Sequence, residues 1–174
     1  MSKRTSACTF SAALLLPLAT QASILFTFTY QDVIDHTGFG FDDPSLGAIR
    51  QATVAAVGSY LNTVLVENGA AQLHWNSSLN LPSSSLLGSM GSLFFQNAGV
   101  TDGFVFKHIT TGIDPDGNAS TADGQGQMNF GLTWNSSLGS PSAGQNDLFS
   151  VVLHEVTHSL GFAATMKSDG GYLD

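Results

Sequence analysis

The sequence predicts an α+β domain, a mixed and twisted sheet with one long helix and a second helix near the C-terminal end. Three observations carry this. Residues 24–30 alternate between two faces with period two, as a strand does. Residues 46–64 place Leu46, Ile49, Thr53, Val57, Tyr60 and Val64 at helical spacing. Residues 146–160 form a second amphipathic run behind a capping residue. Strand, helix, several strands and then helix suits a sheet covered by helices.

In the first strand, Ile24, Phe26, Phe28 and Tyr30 share one face, and Leu25, Thr27 and Thr29 the other. A Gly- and Asp-rich turn follows over residues 37–43. Asp43 then suits a helix N-cap and Pro44 the first helical position, where its missing N–H costs nothing. Asn68-Gly69 reads as the stop of that helix. Residues 72–75 read as a short strand. The Ser- and Gly-rich stretch 76–103 has no clear periodicity. Residues 104–109 read as a strand, 112–127 as a polar loop, and 128–134 as a strand with Met128, Phe130, Leu132 and Trp134 on one face. Asn146 or Asp147 can cap the last helix.

The chain has 174 residues, enough for one domain with a real core. Hydrophobic residues make up 43%, which excludes disorder by composition. Thirteen acids against five bases give a formal charge of -8, so a nucleic-acid partner, which needs clustered Lys and Arg, is not expected. Lys3 and Arg4, the apolar run 12–18, and the small residues Thr20 and Ala22 read as a secretory signal over residues 1–22, cleaved after about Ala22. The run falls short of the roughly 20 residues a membrane span needs. Residues 23–174 then form the exported domain, extracellular or periplasmic. Cys8 leaves with the signal, so the mature chain forms no internal disulfide.

The chemistry is concentrated in His154-Glu155-Val156-Thr157-His158. Histidines at i and i+4 stand one turn apart on one helix face and can grip a single Zn2+. Glu155, one residue after the first histidine, projects beside the metal and can serve as catalytic base toward the water that zinc activates. Phe149, Leu153, Val156 and Leu160 give an apolar stripe roughly opposite the histidines. A bare His-Glu-x-x-His also arises by chance in core helices. The amphipathic placement, the export signal and the following residues weigh toward a zinc site.

Those following residues are Ser159-Leu160-Gly161-Phe162. The run from His154 to Phe162 resembles the metzincin metallopeptidases. Its Gly-Phe ending resembles the leishmanolysin-like branch and related bacterial secreted peptidases. The resemblance implies a zincin-like N-terminal subdomain, in which the glycine turns the chain back after the active-site helix. It also implies an edge strand that binds substrate as an added β-strand, a place matched by residues 128–134. It covers residues 24–174 in architecture but only 154–162 as a specific motif. Where a standard metzincin carries its third histidine, this chain has Ala164. In leishmanolysin-like members that histidine follows a long insertion. The resemblance therefore implies a third ligand beyond residue 174, together with the methionine turn and the C-terminal subdomain.

Asp169 and Asp174 are alternative third ligands, since carboxylates bind zinc. His36, His74 and His108 read as ordinary surface or strand histidines, and Met166 lies too near the helix for a methionine turn. Asp114-Pro115-Asp116-Gly117-Asn118 has a misplaced glycine and no distal glutamate for a calcium loop, so it reads as a polar turn. Asn76, Asn118 and Asn135 begin glycosylation sequons that composition alone accounts for. The expected function is a secreted zinc endopeptidase acting on a peptide or protein. The 174-residue chain, with two histidine ligands, is expected to bind zinc weakly and hydrolyse poorly. The alternative is an exported, non-catalytic binding module on a degenerate or truncated zincin scaffold.

Overall fold

The computed structural model describes residues 23–95 and 102–162. The signal reading over residues 1–22 and Ala164, Met166, Asp169 and Asp174 lie outside the described residues.

The elements run β1 (Leu25–Tyr30), α1 (Gln31–Asp35), a 3-10 turn (Gly40–Asp42), α2 (Gly47–Val64), β2 (Ala70–Leu79), β3 (Gly88–Ser92), α3 (Phe104–Thr111), β4 (Gly124–Asn129), β5 (Trp134–Asn135), β6 (Asn146–Asp147) and α4 (Leu148–Ser159). Four strands form a mixed sheet in the order β1-β2-β4-β3. β1, β2 and β4 are parallel, with Leu25 opposite Ala70 and Leu73 opposite Gly124. β3 is antiparallel to β4, with Gly88 opposite Met128. The chain is thus mixed α/β, as its sequence predicts.

One sheet face and the helices over it make a single apolar core. Ala71, Leu73, Trp75, Met90 and Met128 meet Val54, Val57 and Leu61 of α2 and Leu148, Val152 and Val156 of α4. β1 alternates as expected, with Phe26, Phe28 and Tyr30 packed on this core and Leu25, Thr27 and Thr29 exposed. Parallel strands are usually covered on both faces. Here the second face is left partly open by the described residues. Thr27, Thr29, Gln72, His74 and Gln125 line a shallow cavity of about 580 Å³ beneath the 116–122 loop.

Six expectations need correction. Residues 104–109 are helical, within α3: Phe104, Val105, His108 and Ile109 are buried, a helical spacing that a six-residue apolar run conceals. The strand expected over residues 128–134 begins at Gly124 and ends at Asn129, while Trp134 belongs to β5. That strand is also not an edge: β4 is paired with β2 on one side and β3 on the other. In α2 the core side is Arg50, Thr53, Val54, Val57 and Leu61, with Gly47 and Gly58, and it leaves Leu46, Ile49, Tyr60 and Val64 exposed. The two glycines explain the rotation. A Cβ on Gly58 would meet the Phe28 and Phe26 side chains at 3.1 and 3.2 Å, and one on Gly47 would meet the Phe41 carbonyl at 2.6 Å. The helix also stops at Val64, before Asn68-Gly69. Nor are Asp43 and Pro44 its cap and first residue: α2 begins at Gly47 behind Leu46, and Asp43 accepts from the N–H groups of Ser45 and Leu46 in the turn before it.

The unassigned stretch 76–103 holds the second half of β2 and all of β3. A fully buried amide organises the chain between them. Asn129 Oδ1 accepts from Leu81 N at 2.9 Å and its Nδ2 donates to Leu81 O and Leu86 O, both at 2.9 Å. Its main chain donates to Leu87 O and accepts from Trp134 Nε1. Asn129→Ala would strip partners from three main-chain groups of the 81–86 loop. An unsatisfied buried group costs about 1–3 kcal/mol, so the variant should lose at least about 3 kcal/mol of unfolding free energy in a urea titration.

Candidate metal site on the C-terminal helix

α4 starts where Asp147 accepts from Ser150 N, so Asp147 rather than Asn146 is the cap. Its buried side is Leu148, Val152, Val156 and Ser159, with Glu155, while Phe149, Leu153 and Leu160 pack half-buried at the flanks. The apolar stripe therefore sits about one residue position from the expected one. The histidines still fall away from it: His154 is exposed and His158 half-buried.

The two imidazoles converge. His154 Nε2 and His158 Nε2 are 3.0 Å apart. On its other side, His158 Nδ1 lies 2.7 Å from the Phe162 carbonyl oxygen, which can only accept, so Nδ1 carries the proton. A neutral His158 then presents Nε2 as a bare lone pair toward His154. Zinc–nitrogen bonds are about 2.0–2.1 Å, so one ion can touch both Nε2 atoms at the observed separation. The donor set fits zinc in kind: two imidazoles, one with its outer nitrogen held by a carbonyl.

The chain achieves this through Gly161. After α4, Gly161 takes φ +103, a value L side chains rarely adopt. Gly161 N donates to His158 O and Phe162 N to Thr157 O. This tight turn brings the Phe162 carbonyl back over the His158 ring.

Glu155 lies between the histidines in sequence but is only 7% exposed. Among the described residues it takes part in neither ion pair. Its neighbour is the start of β3: a Cβ on Gly88 would stand 3.4 Å from Glu155 Cγ and 2.7 Å from Met128 Sδ. Gly88 therefore lets the strand pass close over the Glu155 stem. Among the described residues β3, not the strand expected at 128–134, is the edge at this end of the sheet, and α4 packs against β3. Gly88 and β3 are not legible in the sequence, because Gly-Ser-Met-Gly-Ser carries almost no strand propensity.

The structure brings no other histidine to this pair among the described residues, nor any group of three metal-binding side chains. His36 sits in a left-handed conformation at the end of α1. His74 bonds Thr29 Oγ1 at 2.8 Å on the open sheet face, and burial lowers its pKa below the usual imidazole value. His108 is buried and pairs through Nδ1 with Asp123 Oδ2 at 2.8 Å. In the 114–118 turn, Asp114 Oδ1 accepts from Asp116 N and Gly117 N, and Asp116 Oδ1 from Asn118 N. These carboxylates serve their own backbone, as in an ordinary polar turn. The Asn135 side chain is buried and donates to Gly139 O, so that sequon is not accessible.

No protein-family model, no curated protein and no solved structure matches this chain. Among the described residues no helix is long and apolar enough to cross a membrane.

Proposed function

We propose that the chain is the N-terminal, zincin-like part of a secreted zinc endopeptidase of metzincin type. The observation that carries this is the convergence of His154 and His158 Nε2 at 3.0 Å, with His158 oriented by the Phe162 carbonyl. Glu155 follows the first histidine in sequence, and a purely structural zinc site would not require it. Bound zinc would supply Lewis acidity at the scissile carbonyl and lower the pKa of the attacking water. His154 and His158 would hold the ion through Nε2. Glu155 would serve as the base that accepts a proton from the attacking water and passes it to the leaving amine. The helix packs this carboxylate stem close to Gly88, which limits its freedom. An extended substrate would add to the free edge of β3, in place of the inner strand β4.

A third protein ligand completes such a site. The family resemblance puts it beyond residue 174, and Asp169 and Asp174 are the candidates within the chain. Zinc titration with a competing chelator, alongside hydrolysis of an unstructured casein-type protein, tests the whole reading. The expected result is one zinc per chain and hydrolysis abolished by chelation. Binding should be weak for residues 1–174 alone, and far tighter in a longer product with a downstream histidine. Zinc binding with no hydrolysis in either product would favour the exported binding module. Absence of zinc binding in both would overturn the site.

A further inference from the structure

Glu155 is buried on α4, and neither ion pair among the described residues involves it. Packing, rather than a charged partner, sets its direction. Two elements set that packing. β3 passes over the glutamate stem at Gly88, where a Cβ would stand 3.4 Å from Glu155 Cγ. α4 is fixed at its start by the Asp147 cap, about two turns before Glu155.

Both elements are tied to one residue, Asn129, at the end of β4. Its main-chain N–H donates to Leu87 O at 2.9 Å, and Leu87 immediately precedes Gly88. Its side chain fastens the preceding loop at Leu81 and Leu86. In register, Gly88 lies opposite Met128, the neighbour of Asn129. On the other side, the Asn129 carbonyl accepts from Trp134 Nε1 at 2.8 Å. Trp134 opens β5, which pairs with β6 so that Asn135 lies opposite Asp147, the cap of α4. Asn129 is fully buried, and Gly131 N also donates to its Oδ1. A buried amide so fully satisfied is held in a single arrangement.

We propose, resting on the proposed base role of Glu155, that Asn129 is a positioning residue for that glutamate. It fixes both the strand that crosses the glutamate stem and the turn from which the glutamate's helix starts. A misplacement of about 1 Å, from a change far from the chemistry, can cost on the order of 10²-fold in rate. A junction that holds both supports of one carboxylate therefore bears on the reaction without touching substrate. The histidines are placed differently: they meet one turn apart on the same helix, and their convergence does not pass through β3. Disturbing Asn129 should move the rate and leave zinc.

Asn129→Asp keeps the size and the Oδ1 of the side chain but sets an oxygen against the Leu81 and Leu86 carbonyls. Ile24→Ala, in the core beside β1 at the opposite edge of the sheet, is the control for lost stability alone. Nuclear Overhauser spectra of the full chain read the placement directly. The cross-peak between the Gly88 α protons and the Glu155 γ protons should be present in wild type and Ile24→Ala and lost in Asn129→Asp. In whichever product hydrolyses an unstructured protein, Asn129→Asp should lower kcat by about 10–100-fold. KM and zinc affinity should stay within a few-fold of wild type, and Ile24→Ala should keep the wild-type kcat. Trp134→Phe keeps an aromatic ring and removes the donor to the Asn129 carbonyl. It should act in the same sense and more mildly, and it decides by the same two readings if Asn129→Asp does not fold. A retained cross-peak overturns the proposal, as does a kcat equal to that of Ile24→Ala. Loss of the cross-peak with no hydrolysis in any product, wild type included, would sink the base role of Glu155 and leave its placement by Asn129 standing.

Discussion

Glu155→Gln should lower hydrolysis by a factor on the order of 10²–10⁴, the usual contribution of a positioned general base, while zinc affinity stays within a few-fold of wild type. The separation follows from the geometry. The two nitrogens that converge belong to His154 and His158, and Glu155 is not needed to bring them together. Glutamine has the same length and volume, so it keeps the stem contact beneath Gly88. Nor does it remove an ion pair, since neither ion pair among the described residues involves Glu155. The unfolding midpoint should therefore hold. The check is kcat/KM on an unstructured protein in whichever product hydrolyses it, with zinc titrated in parallel. A variant that kept wild-type hydrolysis would take Glu155 out of the chemistry. One that lost zinc as well would make the carboxylate a ligand rather than a base.

The parts of the fold that were legible in the sequence share one property: their pattern is local. β1 shows its period-two alternation, and the start of α4 shows Asp147 as a cap. The histidine pair is legible for the same reason, because i and i+4 meet on any helix. What was not legible depends on partners far along the chain. Whether β4 is central or at the edge is decided by β3, forty residues upstream of β4's end, in a stretch without strand propensity. Residues 104–109 have a β-branched and aromatic composition, yet they form α3, where Val105 and Ile109 reach the core one turn apart. Tertiary packing overrides propensity there. In α2 the sequence pattern favoured Leu46, Ile49, Tyr60 and Val64, but close approach at Gly47 and Gly58 and the burial of Arg50 turned the helix. Arg50 donates to the Gly40 carbonyl at 2.6 Å and lies 4.1 Å from the Phe130 ring centre, a polar anchor that no apolar periodicity can announce.

Gly161→Ala should weaken zinc binding by about 10–100-fold, the usual cost of losing an outer partner of a histidine ligand, without touching either imidazole. Among the described residues a Cβ at Gly161 meets nothing within 4 Å, so the substitution clashes with none of them. Its effect comes from φ alone. At +103 an alanine is strained by on the order of 1–3 kcal/mol, and the chain relieves this by opening the turn. The Phe162 carbonyl then leaves His158 Nδ1, and the ring is free to rotate and to exchange its tautomer. His158→Ala, which removes the nitrogen itself, should cost more than the glycine variant. Zinc competition titrations on the three chains give the order wild type, Gly161→Ala, His158→Ala. The circular dichroism of α4 should be unchanged in the first two, because the helix ends at Ser159, before the altered residue. Equal zinc affinity in wild type and Gly161→Ala would mean that the carbonyl contact does not hold His158 for the metal.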